Sequence, residues 1–121
     1  MSRLPKYAIV IMALFAAASA SGECVYPEPP EMIPDGNTAS YDEMVAAHGT
    51  VRAFDEDVRS FTVCLELEIK ELLEDPTVDD ETKEDLRVLL VRRVDAAVDE
   101  AEFVVGQFNE QLRIFRARDE Q

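Results

Sequence analysis

At 121 residues, with 26 Asp and Glu against 12 Lys and Arg, the chain carries a formal charge of −14 and has room for one small domain. No basic stripe offsets that charge, so phosphate backbones and anionic lipid headgroups are repelled, and nucleic acid is excluded as a partner. Two cysteines and a single histidine leave little material for redox, metal or nucleophilic chemistry.

The chain opens with a short basic stretch holding Arg3 and Lys6, an apolar run over residues 7–18, and the small residues Ala18-Ser19-Ala20. This is the three-part layout of a secretory signal peptide. The apolar run falls short of the roughly 20 residues a membrane-spanning helix needs, so residues 1–20 are predicted to be cleaved and not retained as an anchor. Cys24 follows Ser21-Gly22-Glu23, which puts a carboxylate where a lipidation box requires a small residue. After cleavage, residues 21–121 hold 10 Lys and Arg against 26 Asp and Glu, a formal charge of −16. The expected location is the periplasm or the extracellular medium, with no membrane span left after processing.

Residues 21–37 come next, and Pro27, Pro29, Pro30 and Pro34 make them an extended, polyproline-like segment, because each ring fixes φ and removes a donor. Pro34-Asp35-Gly36 reads as a turn. The remainder, residues 38–121, reads as a helical hairpin with helices over about 40–75 and 78–118.

Ser40-Tyr41-Asp42-Glu43 is a capping box that starts the first helix. Met44, Ala47, Val51, Phe54, Val58, Phe61, Leu65, Ile69 and Leu72 then recur at steps of three and four, the period of an amphipathic helix. Asp75-Pro76 ends it, since the residue before proline is driven out of the α region. In the second helix Asp79, Asp80, Glu81, Glu84 and Asp85 suit the positive end of the macrodipole, and Arg113, Arg116 and Arg118 suit the negative end. Its stripe is Leu86, Leu90, Val94, Ala97, Ala101, Val104, Phe108, Leu112 and Phe115, a heptad-like coiled-coil spacing.

The fold class is therefore all-α: a long antiparallel two-helix hairpin, each helix roughly 50–60 Å long, with an extended Pro-rich strap at its N-terminal side. A turn centred near Thr77 sets Val58 opposite Ala97 and Phe54 opposite Ala101, large against small. The same register puts Gly49 level with Gly106, which suggests close backbone approach or room for a third element; two merely tolerated glycines are the alternative.

Cys24 and Cys64 are the simplest disulfide. Cys64 lies roughly 36 Å along the helix from Ser40, and the segment joining Cys24 to Ser40 can reach about 50 Å when extended. The strap can thus run back along the hairpin and be stapled to it, which a small core needs. The competing reading is two separate buried thiols or an intermolecular bridge.

Cys24, the proline run, Ile33-Pro34-Asp35-Gly36, Glu43-Met44, Val51 and Phe54, Cys64-Leu65 with Glu68, and Phe108-Asn109 through Leu112-Arg113 together resemble a group of small exported proteobacterial proteins. The resemblance covers most of the chain beyond residue 20. It implies origin and compartment, and brings no activity, cofactor or catalytic residue with it.

The side chains that could carry chemistry are sparse. His48 has no Ser/His/Asp or Cys/His set in prospect. Glu71, Glu74, Asp75, Asp79, Asp80, Glu81, Glu84 and Asp85 crowd the hairpin tip, where a hard cation could bind weakly, but the loop lacks the alternating ligands and central glycine of an EF-hand. A solvated acidic tip is the better reading. No catalytic residue, metal ligand or cofactor site is assigned, and the protein is read as a non-enzyme.

The apolar surplus says more. Val88, Val91, Val98, Val105 and Leu112 form a second stripe on the second helix, beside Phe103 and Ile114, and Val63 and Leu67 add to the first. One seam cannot cover them all, so the strap, a second copy or another envelope protein must. The leading expectation is a structural or interaction protein of the cell envelope that binds itself or a protein partner. The alternative is a periplasmic holdase-like chaperone or an enzyme inhibitor working through the same apolar faces.

Overall fold

The computed structural model describes residues 24–119; the expected signal peptide and the first residues of the strap lie outside them. Two helices pack antiparallel, α1 over Tyr41–Glu74 and α2 over Asp80–Asp119, 34 and 40 residues long. The all-α hairpin read from the periodicity is the observed fold.

Local chemistry fixes each end. Ser40 Oγ accepts from the Glu43 N–H at 3.1 Å, and Glu43 Oε2 accepts from the Ser40 N–H at 2.6 Å, which completes the capping box. Before Pro76, Asp75 turns extended at ψ 117°, and its N–H bonds back to the Leu72 carbonyl. The second helix begins two residues later than the expected position 78, because Asp79 is its cap. Asp79 Oδ1 accepts from the Thr82 N–H at 2.8 Å, while the Asp79 carbonyl takes the Lys83 N–H at 3.0 Å.

Met44, Val51, Phe54, Val58, Phe61 and Leu65 of α1 cluster with Ala97, Ala101, Val104, Phe108 and Phe115 of α2, and Ile69 continues the buried line of α1 toward the tip. Ala97 is wholly enclosed, as a small residue must be where aromatic and branched chains cross the seam. The turn-centred register holds: His48 lies against Phe108, ring centroids 5.9 Å apart.

Of the readings for Gly49 and Gly106, close backbone approach is excluded. Gly49 and Gly106 are both exposed, and a Cβ added to either meets nothing within 4 Å, so the helices make no close approach there. The glycine that does permit close approach is Gly36. A Cβ on it would overlap the Gln111 carbonyl oxygen and sit 3.0 Å from the Ile114 Cβ.

The strap, residues 24–39, is the third layer. Cys24 and Cys64 meet at disulfide distance, with Cα atoms 5.7 Å apart. From Cys64 the strap runs back along α1, antiparallel to it, toward the open end of the hairpin. Tyr26 packs edge-on to Phe61 at 5.1 Å, Pro27 and Ala39 are buried, and Ile33 packs on the core. The turn expected at Pro34-Asp35-Gly36 falls one step later. Asp35 accepts the Thr38 and Ala39 N–H groups on its carbonyl at 3.1 and 2.8 Å, and the Asn37 N–H on its side chain at 2.9 Å.

Candidate interaction faces

α2 advances about 100° per residue, so the positions flanking its buried line sort into two sides. Glu100, Gln111, Ile114 and Arg118 fall on one flank, and every one of them meets the strap. The Tyr26 hydroxyl donates to Glu100 Oε2. That bond, with partial burial and the carboxylate's charge, pushes the phenol up to about 12. The Gly36 N–H donates to Gln111 Oε1 at 2.8 Å over the Ile114 side chain, and Arg118 Nη2 donates to the Ala39 carbonyl at 2.9 Å. Arg118 also lies 4.7 Å over the Phe115 ring. Expected only to complement the helix dipole, it is the clasp at the strap's end.

Val91, Val98, Val105 and Leu112, spaced by sevens, fall on the opposite flank. Among the described residues no strap residue lines the grooves beside Val105 and Leu112. Val105 and Leu112 are half-buried against the core and, with His48, Arg52 and Asp55 of α1, line an open groove of about 280 Å³. The groove continues toward the open end between Tyr41, Val45, His48, Phe108 and Leu112, adding about 370 Å³. Toward the tip, Val98 and Val91 extend the stripe with 38% and 58% of their surfaces exposed. Val88 is exposed too, but three residues before Val91 it lies off this line.

The structure divides what the sequence grouped. Ile114 lies beneath the strap, whereas Phe103, 64% exposed, belongs to the strap's side and not to the valine stripe. Val63 and Leu67 point away from α2 on the outer side of α1. Sequence reasoning did not single out Tyr26 or Gln111 and gave Arg118 only a dipole role, because each acts on a segment distant in the chain and no periodicity marks it.

His48 is exposed and touches Phe108. Among the described residues no group of three or more His, Cys, Asp or Glu side chains converges as a metal ion would require. At the tip, Asp75 and Asp79 are engaged by backbone. Asp75 Oδ1 accepts from the Thr77 hydroxyl and N–H at 2.7 and 2.8 Å, Asp79 Oδ1 accepts from the Thr82 N–H, and each set of bonds holds its own carboxyl below the usual carboxylate range. Among the described residues no helix is long and apolar enough to cross a membrane.

Comparison with known proteins adds no relative: no family model, curated protein or solved structure matches the chain.

Proposed function

We propose that this is a non-catalytic exported interaction protein, a strap-stapled hairpin whose strap-free face takes a further helix from a second copy or from another envelope protein. The observation that carries the reading is one-sided coverage: the strap spends its contacts on the Glu100, Gln111, Ile114 and Arg118 flank of α2 and leaves the Val91, Val98, Val105 and Leu112 flank open. A helix that is apolar at its seam and again along one adjoining stripe has the pattern of a bundle helix with two neighbours. In a hairpin only the first neighbour is supplied. Export is supported by the cysteine pair at disulfide distance, which an oxidising compartment would keep closed. The acidic surface suits a soluble envelope protein held off anionic membranes.

Light scattering on residues 21–121, with and without V91D/V98D, tests the proposal. A defined oligomer is expected for the unaltered protein, and a monomer of unchanged helix content for the variant, since both valines are exposed and their replacement leaves the core intact. If the unaltered protein is monomeric at high micromolar concentration and V91D/V98D alters no association with envelope proteins, the proposal fails. If instead the protein suppresses aggregation of an unfolded client and V91D/V98D abolishes that, the stripe serves a holdase.

A further inference from the structure

The strap does more than cover one flank of the seam, because its outer edge makes a second groove with α2, separate from the valine stripe. Residues 30–33 form one wall, and Glu102, Phe103, Gly106, Gln107 and Glu110 form the other wall and floor, enclosing an open volume of about 760 Å³. Met32 and Phe103, 79% and 64% exposed, are its large exposed apolar side chains.

Three observations bear on what occupies it. The first is charge. Glu31, Glu102 and Glu110 line the groove and no Lys or Arg does. Glu110 is already neutralised by Arg113, through bonds of 3.0 and 2.6 Å, but among the described residues neither Glu31 nor Glu102 has an ion-pair partner. The second is the pairing of an exposed aromatic ring with an exposed thioether. A ring face attracts an ammonium or guanidinium, and methionine adapts to varied apolar partners. The third is Gly106. Its φ is ordinary and nothing crowds it, so the fold gives no reason for glycine in mid-helix, where it weakens the helix. Any larger side chain there would fill the groove floor.

We infer that the groove between the strap and the outer face of α2 docks a basic polypeptide segment of another protein, its Lys or Arg side chains on Glu31, Glu102 and the Phe103 face, and an apolar anchor against Met32 over Gly106. In this groove a second copy of the chain is the wrong occupant, since residues 21–121, at −16, would bring acid to Glu31 and Glu102. The net charge also steers a cationic partner toward the molecule before contact.

The probe is a fluorescent 14-residue peptide of Lys and Leu at helical spacing, with its Lys-to-Glu counterpart as control, titrated by anisotropy against residues 21–121. Binding of the basic peptide alone, weakening as salt rises, is expected. F103A should weaken it about tenfold, as loss of an aromatic anchor does. E31K/E102K and G106K should abolish it. G106K also serves as the folding control, because Lys favours helix over Gly and its Tm should not fall. The inference is overturned if the basic peptide fails to bind at 100 µM protein, if both peptides bind alike, or if G106K and F103A bind as the unaltered chain does. The readout does not depend on oligomeric state, so a failure of the valine-stripe proposal leaves it standing, and the reverse.

Discussion

At Gly36 the strap backbone lies so close to α2 that a methyl group would overlap the Gln111 carbonyl, while at Gly49 and Gly106 the same methyl group would meet open space. The three glycines therefore respond oppositely to alanine. G36A should cost about 1–3 kcal/mol, because the strap must lift off Gln111 and lose the bond to its side chain. G49A and G106A should each stabilise by up to about 1 kcal/mol, the helix-propensity gain with nothing to offset it. Thermal unfolding of the three variants checks all of this, and a loss of stability in G49A or G106A would show contacts that the structure lacks. The sequence pointed to the wrong pair. A glycine inside a helix pattern is conspicuous, whereas one in a turn is ordinary. What separates them is a carbonyl 75 residues away in the chain, which no local pattern announces.

Among the elements, α1 was legible to within a residue, because Ser40 with Glu43 and Asp75 with Pro76 are signals written in adjacent positions. The start of α2 was blurred by acid. Asp79, Asp80 and Glu81 all suit a first turn, and only the bond from the Thr82 N–H to Asp79 identifies which of them caps it. Its hydrogen bonds hold the Asp79 carboxyl below its ordinary 3.8, as those of Asp75 do for its own. A carboxyl lowered on folding stabilises above its unfolded pKa, and that contribution disappears as pH falls through the folded value. D79A should accordingly lower Tm by about 4–8 °C at neutral pH. The gap from the unaltered protein should close below pH 4, with D79N retaining part of it. A gap that stays constant down to pH 2 would mean the carboxylate is not the capping species. Comparing the gap, and not the raw Tm, matters because acid also relieves repulsion among the other carboxylates. The exposed Arg52–Glu56, Arg59–Asp55 and Lys70–Glu74 pairs add little beside these caps.

For the molecule as a whole, the strap turns a symmetric hairpin into one with two unlike faces, an open valine stripe on one side and an acidic, aromatic groove on the other. The first was visible as a sevenfold spacing, and the second was not, because its walls come from segments about 70 residues apart that meet only once Cys24 reaches Cys64. The strap side is therefore expected to depend on that pair as well as on the Glu100, Gln111 and Arg118 contacts. With the cysteines 40 positions apart in sequence, closing the loop stabilises by roughly 4 kcal/mol on the chain-entropy account, and C24S/C64S should lose about that much. Tyr26 reports whether the strap leaves as a unit. Seated, its phenol titrates near 12, above its ordinary 10, so its bond to Glu100 stabilises fully below pH 10 and is lost as pH climbs through 12. In C24S/C64S, kept folded at low temperature, an NMR titration of Tyr26 should return to about 10 while the helix signal persists. Amides of residues 26–39 should then exchange fast, and the basic peptide should no longer bind. A Tyr26 titration still near 12 would mean that the Gln111 and Arg118 contacts seat the strap unaided. The bridge would then guard against unfolding without shaping either face.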